Sequence, residues 1–189
     1  MRGGILAALI ICALAEVACA ELRFDKIAFD GAQVFSTAEL ARWLNVPTKQ
    51  FVNEDSVAIR IHALEDSLVE RDYLFARVDS FQVVDRGKRR ELRVFLNEGR
   101  LAKITTLRWL GDSTRVLVTV SSRAMTRAGS TFHWSNLTFD AGLLLDYFET
   151  SGYPFARVEI SRVEPDSVSG GVSIWLQIAS GPLTRIDFI

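Results

Sequence analysis

Hydrophobic residues recur along this chain with two periods, one typical of helices and the other typical of strands. Between positions 57 and 68 the spacing is four, three and four, at Val57, Ile61, Leu64 and Leu68. This spacing places the apolar side chains on one side of a helix. Between positions 91 and 96 apolar and polar residues alternate, and the apolar ones are Leu92, Val94 and Leu96. That alternation predicts a strand with one buried face.

Capping residues predict where the helices of the first half begin. Ser36 and Glu39 fit a capping box, in which the hydroxyl accepts the amide of Glu39 and the carboxylate reaches back. The box starts a short helix that ends near Pro47, and its apolar face consists of Leu40, Trp43 and Leu44. Asn53 or Asp55 caps the longer helix that follows.

Three strands accompany these two helices. Residues 22–29 predict an opening strand with a break in register near Asp25, and its apolar positions are Leu22, Phe24, Ile27 and Phe29. Residues 76–84 predict a second strand, and a polar hairpin loop at 85–90 leads into the third. The predicted order is therefore strand, helix, helix, strand, strand.

The second half of the chain repeats this order. Residues 104–110 predict a strand and residues 116–125 a helix. Ser135 caps a second helix, whose apolar positions are Leu137, Ala141, Leu144, Leu145 and Phe148. Residues 153–163 and 172–178 then predict two strands, joined by a loop at 164–171.

The two halves are also related in sequence. Residues 72–78 read DYLFARV and residues 152–158 read GYPFARV, which agree at five of seven positions at an offset of 80. Gly31 and Gly111 are 80 apart as well, and Glu98-Gly99 and Ser180-Gly181 are 82 apart. The last seven residues, LTRIDFI, are similar to the opening strand of each copy. An internal repeat of this length indicates tandem structural units.

We therefore predict an α+β protein of two tandem β-α-α-β-β modules. Each module is expected to be a three-stranded mixed sheet covered on one face by two helices. Module 1 is predicted at residues 21–99, module 2 at residues 100–181, and the start of a third unit at residues 182–189. A chain that ends inside a strand suggests a fragment of a longer protein.

The first twenty residues have the layout of a secretory signal peptide. Arg2 precedes a ten-residue apolar run at 5–14, and Ala18-Cys19-Ala20 offers a cleavage site before Glu21. A lipoprotein anchored at Cys19 is the alternative, although Glu16 stands where a lipobox has an apolar residue. The only two cysteines lie in this segment. The mature chain would therefore enter an oxidising compartment without disulfides and depend on its packed cores.

Composition and charge exclude several function classes. The chain has 22 basic and 23 acidic residues and a formal net charge of −1, without the basic excess of a nucleic-acid binder. Its two histidines, His62 and His133, stand in no metal-binding or catalytic motif, and no nucleotide-binding glycine motif occurs. We predict no catalysis, no metal and no cofactor. A small periplasmic hydrolase is the alternative from a different class.

Three features of the sequence each allow two interpretations. The basic segment 85–90, DRGKRR, is either a solvated hairpin tip or a contact for anionic lipid headgroups. Trp134 either packs against the start of a helix or meets a partner. The aromatic residues of the repeated segment form either a recognition surface or, in the interpretation we favour, buried helix-to-strand corners; they are Tyr73, Phe75, Tyr153 and Phe155.

The ordered set of these features resembles the POTRA domain, the polypeptide-transport-associated module of the outer-membrane β-barrel assembly family (Omp85/BamA-like). The resemblance in module 1 consists of the opening strand to Gly31, the segment 35–40, the second helix, the segment 73–78 and Glu98-Gly99. In module 2 it consists of Gly111, the segment 152–158 and Gly181-Pro182. The family's usual Gly-Tyr is kept at Gly152-Tyr153, whereas Asp72 replaces the glycine in module 1.

The resemblance implies a periplasmic arm that leads to a C-terminal barrel in the outer membrane, so residues 182–189 could also link to that barrel. It implies unfolded outer-membrane or secreted proteins and accessory assembly subunits as partners, with no nucleic acid. A two-partner secretion transporter is the alternative within the family, and a free-standing periplasmic adaptor or chaperone is another.

An exposed sheet edge can take up an extended client as an additional strand, which is called β-augmentation. The family arrangement implies that the first strand of each hairpin is this edge. We therefore predict client-binding residues in two segments, 76–84 and 155–163. They are Ala76, Val78, Phe81, Val83, Phe155, Val158, Ile160 and Val163.

Overall fold

The computed structural model describes residues 21–112 and 123–184. Signal-like residues 1–20 and most of the helix predicted at 116–125 lie outside these ranges, and residues 123–125 are not helical. The elements of module 1 are β1 (Glu21–Arg23), β2 (Lys26–Asp30), α1 (Thr37–Leu44), β3 (Phe51–Asn53), α2 (Glu54–Val69), β4 (Arg77–Arg86) and β5 (Arg89–Asn97). The described elements of module 2 are β6 (Lys103–Gly111), α3 (Trp134–Thr150), β7 (Arg157–Asp166) and β8 (Gly171–Ala179).

Module 1 is built on a three-stranded mixed sheet in the order β2-β5-β4. Strand β5 is central; it pairs in parallel with β2 and antiparallel with β4. Because side chains alternate across a strand, one face of β5 presents Leu92, Val94 and Leu96, all buried. The predicted apolar positions of α1 and α2 pack on that face, and the buried ones are Leu40, Leu44, Val57, Ile61, Leu64 and Leu68.

Module 2 has the same sheet, in the order β6-β8-β7, with β8 paired in parallel with β6 and antiparallel with β7. Helix α3 supplies Leu137, Leu144 and Phe148, which are buried against the inner face of this sheet. The predicted α+β class is confirmed by this topology, with one three-stranded mixed sheet in each half; the described residues include one of the two helices predicted for module 2.

The predicted helix caps are correct in module 1. The Ser36 side chain accepts from the Glu39 amide, and the Glu39 carboxylate accepts from the Ser36 amide at 2.9 Å. Asn53, rather than Asp55, caps α2, since its side-chain oxygen accepts from the Ser56 amide at 2.7 Å. These caps satisfy backbone amides that the first turn of a helix leaves unpaired.

Several predicted boundaries are wrong. The segment expected to form one opening strand is two strands: β1 pairs with β3 in a separate two-stranded sheet, and β2 joins the main sheet. The missed strand β3 has only three residues, too few for a periodic pattern. The loop expected at 85–90 shrinks to Gly87 and Lys88, and the loop at 164–171 to residues 167–170, because the strands continue to their hairpin turns. Strand β7 begins at Arg157 rather than at position 153.

The repeated glycines at position 31 and position 111 serve the same purpose in both modules. Gly31 has φ +93 and Gly111 has φ +90, in the region that favours glycine. A Cβ atom at Gly31 would overlap the carbonyl oxygen of Leu96, and one at Gly111 would overlap that of Ile178. Each glycine therefore allows the end of the opening strand to lie directly against the central strand.

A buried carboxylate fixes an irregular segment in each module. Glu98 is 4% exposed and accepts from the amides of Gln33 and Val34 at 2.7 Å and of Phe35 at 3.0 Å. In module 2 the fully buried Asp140 accepts from the amides of Met125 and Thr126 at 2.9 and 2.7 Å. Buried charge is tolerated at these places because it satisfies backbone donors that would otherwise be unpaired.

Candidate binding edges and the contact between the modules

Each sheet ends in a ten-residue antiparallel strand, β4 in module 1 and β7 in module 2. On the other side, β2 has only five residues. The edge of β6 is partly covered by residues 129–132: Ile104 donates to Ser130, and Phe132 donates to the carbonyl of Ala102. Strands β4 and β7 are therefore the longest edges without a backbone partner in residues 21–112 and 123–184.

The structure places six of the eight predicted client-binding residues within these two edge strands. Ala76 and Phe155 lie just before β4 and β7, so their placement on a strand is wrong. Most of the eight turn towards the cores; those packed against a core cluster are Ala76, Val78, Phe81, Val83, Val158 and Val163. What these strands offer at the edge is therefore mainly backbone.

The edge of β4 is closed at one end by a helix side chain. The Val78 amide donates to the Glu65 carboxylate of α2 at 2.7 Å, and the same carboxylate lies 3.3 Å from Nδ1 of His62. A register shift between Val78 and Ser80 leaves Asp79 as a bulge. Bulges interrupt regular strand pairing. The continuous part of this edge is therefore residues 80–86.

The edge of β7 is interrupted at two places. A register shift between Ile160 and Arg162 leaves Ser161 as a bulge in the middle of the strand. Pro165 lies within the strand and has no amide to donate. The aligned position in module 1, Asp85, carries no such defect. Ile160 is 36% exposed, so this edge offers an apolar side chain that β4 does not.

The open faces of the two sheets are polar and already paired. On module 1 the Arg93 guanidinium lies 3.4 Å from both Asp30 and Glu91, and Lys26 lies 3.8 Å from Glu91. On module 2 the guanidinium of Arg162 lies over the ring of Trp175 at 5.2 Å. Because these side chains already have partners, the edges are the better candidates for binding an extended chain.

Hydroxyl and amide donors hold two surface carboxylates in their charged form. At the β7–β8 turn the Ser169 hydroxyl donates to Asp166 at 2.6 Å and, with the Val168 amide, lowers the pKa of Asp166. At the start of α1 the Ser36 hydroxyl, and then its amide, lower the pKa of Glu39. Both groups organise a turn or a helix start rather than a ligand site.

Asp72 joins the two modules. It lies just beyond α2 with φ +76, a value that matches the φ +90 of Gly152 in the other copy. Its carboxylate accepts from the Trp134 amide at 2.7 Å and lies 2.7 Å from Nδ1 of His133. The indole of Trp134 donates to the Val69 carbonyl at 3.0 Å. The predicted cap Ser135 lies inside the helix, so the start of α3 is satisfied from module 1.

The aromatic corner of module 1 completes this contact. Leu74 and Phe75 pack against the core cluster of module 2. The corresponding corner of module 2 differs: Phe155 is 65% exposed, and our interpretation of it as a core residue is wrong. Gly99 lies against Phe75 as Gly181 lies against Phe155, so the two corners have the same backbone arrangement. Only the first is covered by another module within the described residues.

Sequence reasoning missed Asp72 and Glu65 as contact residues. A signal for Asp72 was present, because it is where DYLFARV departs from GYPFARV. Of the two interpretations of Trp134, packing against the start of a helix is correct: its ring lies 5.0 Å, centroid to centroid, from that of Phe132 at the start of α3. Glu65 gave no signal, since a carboxylate on a helix is ordinarily solvated.

No group of three or more metal-binding side chains comes together in the part of the chain that the structure describes. None of the helices there is long and apolar enough to span a membrane.

Comparison with known proteins identifies the fold of module 1. Residues 22–99 match the model of the POTRA family, described as surface antigen variable number repeat. The resemblance of module 1 to the POTRA domain, inferred from the sequence, is confirmed by this match. Module 2 has the same strand order and pairing. Among curated protein sequences no match was found.

Solved structures of low sequence identity resemble the chain. POTRA domains 3–5 of BamA from Haemophilus influenzae are 14% identical, with a TM-score of 0.48; the match covers 90% of this chain and 70% of that one. POTRA domains 1–2 of the periplasmic domain of Omp85 from Anabaena are 14% identical, with a TM-score of 0.48, covering 87% and 98%. CdiB from Escherichia coli is 16% identical, with a TM-score of 0.45, covering 87% and 28%.

Proposed function

We propose that the two modules form the periplasmic arm of an outer-membrane protein assembly factor. In this proposal the arm binds extended segments of unfolded β-barrel clients by β-augmentation at β4 and β7. The carrying observation is that each sheet ends in a ten-residue antiparallel strand whose outer edge has no backbone partner in residues 21–112 and 123–184. The match of residues 22–99 to the POTRA family supports the proposal that the modules belong to such an arm.

Backbone pairing suits a module that meets many clients. The side chains of Val78, Phe81 and Val83 are turned towards the core of module 1, where they hold the strand in place. The amides and carbonyls at the edge then recognise an extended chain with little dependence on its sequence. The outer faces of both sheets, by contrast, carry side chains that are already ion-paired.

The two edges are not equivalent under this proposal. On β4 the bulge and the Glu65 carboxylate lie at one end, so residues 80–86 remain continuous. On β7 the bulge at Ser161 divides the strand, and Pro165 removes a donor. We therefore place the longer client segment on β4, and a shorter segment on residues 157–160, where Ile160 adds an apolar contact.

The proposal extends to location and partners. The signal-like N-terminus at residues 1–20 supports export to the periplasm. In a longer native chain the arm would lead to a C-terminal outer-membrane barrel and would contact accessory assembly subunits.

The test is site-specific photo-crosslinking to an unfolded outer-membrane barrel polypeptide. A photoreactive residue at Gln82 or Glu159 probes the two edges, and one at Ile59 or Glu149 probes exposed helix positions as a control. We expect crosslinks at the edges and few at the helices, with Gln82 ahead of Glu159. Equal crosslinking at edges and helices would contradict β-augmentation, and preference for a secreted client over a barrel client would favour the two-partner secretion alternative.

Single proline substitutions at residues 80–84 provide the second test. Alternate positions of an edge strand donate inwards and outwards, so some prolines remove only an outer donor and leave the pairing with β5 intact. Circular dichroism identifies the variants that stay folded. Among those, we expect crosslinking at Gln82 to fall several-fold for at least one proline. Unchanged crosslinking in every folded variant would refute the proposed edge.

A further inference from the structure

A strongly basic surface lies at the hairpin turn between β4 and β5. Module 2 contacts the opposite end of β4, and a strand of ten residues spans about 33 Å. Two adjoining hollows of about 530 and 410 Å³ open there. Seven basic and three acidic side chains line them, an excess of four positive charges in a chain whose formal net charge is −1. We call this surface the basic tip.

The acidic side chains of the basic tip are already engaged. Asp25 accepts from the Arg90 amide at 2.9 Å, and Asp85 pairs with the Arg90 guanidinium at 2.9 Å. Glu91 pairs with Lys26 at 3.8 Å. These contacts hold the hairpin turn but leave other cations uncompensated.

Five cations of the basic tip have no ion-pair partner in the described residues; they are Arg23, Lys49, Arg86, Lys88 and Arg89. Lys49 is fixed in place by its backbone, which has φ +64 and donates to the Phe24 carbonyl at 2.6 Å. Like charges gathered without counter-charges repel one another, and a bound anion relieves that repulsion. The surface is therefore suited to a ligand with more than one negative charge.

An exposed aromatic ring stands beside these cations. Phe51, on the short strand β3, is 65% exposed and lines the smaller hollow. The Arg23 guanidinium of β1 lies 5.9 Å from the centre of its ring. A free phosphate ion gains no favourable contact from an apolar ring. A membrane surface binds both kinds of side chain, because aromatic rings enter the boundary between headgroups and acyl chains while cations bind the headgroups.

We propose that the basic tip binds the surface of a lipid bilayer through anionic, phosphate-bearing headgroups. Lys49, Arg86 and Arg89 contact the headgroups, and Phe51 enters the interface beside them. The edge of β4 then leads from the membrane surface towards module 2. This binding is separate from client binding, and under this proposal the segment 85–90 is a lipid contact.

The test is co-sedimentation of the full chain with vesicles of neutral phosphatidylcholine, alone or mixed with phosphatidylglycerol. The first variant combines Lys49→Ser, Arg86→Ser and Arg89→Ser. The control variant removes the same charge from exposed positions of module 2, as Lys103→Ser, Arg108→Ser and Arg123→Ser. Because every variant carries the same N-terminal apolar segment, a difference between them reports the substituted surface alone. Thermal unfolding verifies that each variant is folded.

We expect binding to anionic vesicles to weaken about 100-fold in the first variant, from roughly 1 kcal/mol per basic residue near an anionic surface. The control variant should bind like the unsubstituted chain, Phe51→Ser should weaken binding, and added salt should weaken it further. Equal losses in both triple variants would refute the proposal, as would equal binding to neutral vesicles. Full competition by inorganic phosphate, with no effect of Phe51→Ser, would overturn the assignment to lipid and indicate a site for free phosphate.

Discussion

From the contact made by Asp72 we predict that a single substitution, Asp72→Gly, allows the two modules to move more independently of each other. Asp72→Gly restores the residue that the other copy has at this corner, so the left-handed backbone at φ +76 becomes easier to adopt. The same change removes the acceptor of the Trp134 amide and the partner of His133. Module 1 is thus relieved of strain while module 2 loses the group that satisfies its helix start.

The magnitudes determine which assay is informative. Loss of a helix-capping acceptor costs about 1 kcal/mol, and loss of the contact with the Nδ1 atom of the partly exposed His133 costs up to about 1 kcal/mol. Relief of a left-handed backbone returns about 1 kcal/mol. The global free energy of unfolding therefore changes little. The local effect at Trp134 is larger, because its amide becomes one of the unpaired donors of a helix start.

Native-state hydrogen exchange, followed amide by amide by NMR, measures this local effect. We expect the Trp134 amide to exchange at least about tenfold faster in Asp72→Gly, the factor that corresponds to about 1.4 kcal/mol. Asp72→Asn is the matched control: it tolerates the left-handed backbone and keeps an uncharged acceptor, so its effect should be smaller.

A distance measurement gives the second readout. Spin labels at Lys88 and Val168, on the hairpin turns of the two modules, report how module 1 sits relative to module 2. We expect a broader distance distribution in Asp72→Gly than in the unsubstituted chain. Unchanged exchange at Trp134 together with an unchanged distribution would refute the reasoning, and equal effects of glycine and asparagine would show that an uncharged acceptor does not replace the carboxylate.

Three further predictions concern stability and pH. Glu98→Ala leaves three amides of residues 33–35 without their acceptor and should lower the urea-unfolding free energy by about 3 kcal/mol. Glu98→Gln keeps an uncharged acceptor and should cost less; an unchanged stability in Glu98→Ala would contradict the role of Glu98 as the acceptor. Phe75→Ala removes a side chain from the contact between the modules and should lower the free energy of unfolding by about 2 kcal/mol. Phe155→Ala, at an exposed corner, should change the free energy of unfolding by less than about 0.5 kcal/mol. The reverse order would show that the two corners were misassigned. Ser36→Ala removes the hydroxyl that holds the pKa of Glu39 below its ordinary value of 4.5, so an NMR titration should show that pKa rising. Because the folded-state pKa is lowered, this interaction stabilises the fold above pH 4.5 and is lost as the pH falls through the lowered value; an unchanged pKa in the variant would exclude the hydroxyl as the cause.

Patterns within a few residues of sequence predict the elements whose cause is local. The spacing of Val57, Ile61, Leu64 and Leu68 identified the buried side of α2, and the alternation around Val94 identified the central strand, because both periods follow from backbone geometry. The capping box at Ser36 follows from side-chain chemistry within four residues. The internal repeat supported the shared topology of the two modules, because equivalent glycines meet equivalent carbonyls in both.

Other features are decided by residues distant in sequence. The pairing of β1 with β3 joins two three-residue strands that are too short to carry a pattern of their own. Bulges at Asp79 and Ser161 depend on register against a partner strand, which no local signal specifies. The closure of the β4 edge by Glu65 needs a helix side chain and a strand amide to meet across 13 residues.

The contact between the modules shows most clearly the difference between features with a local cause and features decided by the tertiary structure. At Asp72 the sequence showed only a departure from its own repeat. The tertiary structure brings this carboxylate to the start of α3, 62 residues away, where it satisfies the Trp134 amide. Phe75 and Phe155 share one motif, yet only Phe75 packs against another module in the described residues. A motif specifies the conformation of a corner, whereas its burial depends on which surface the fold places against it.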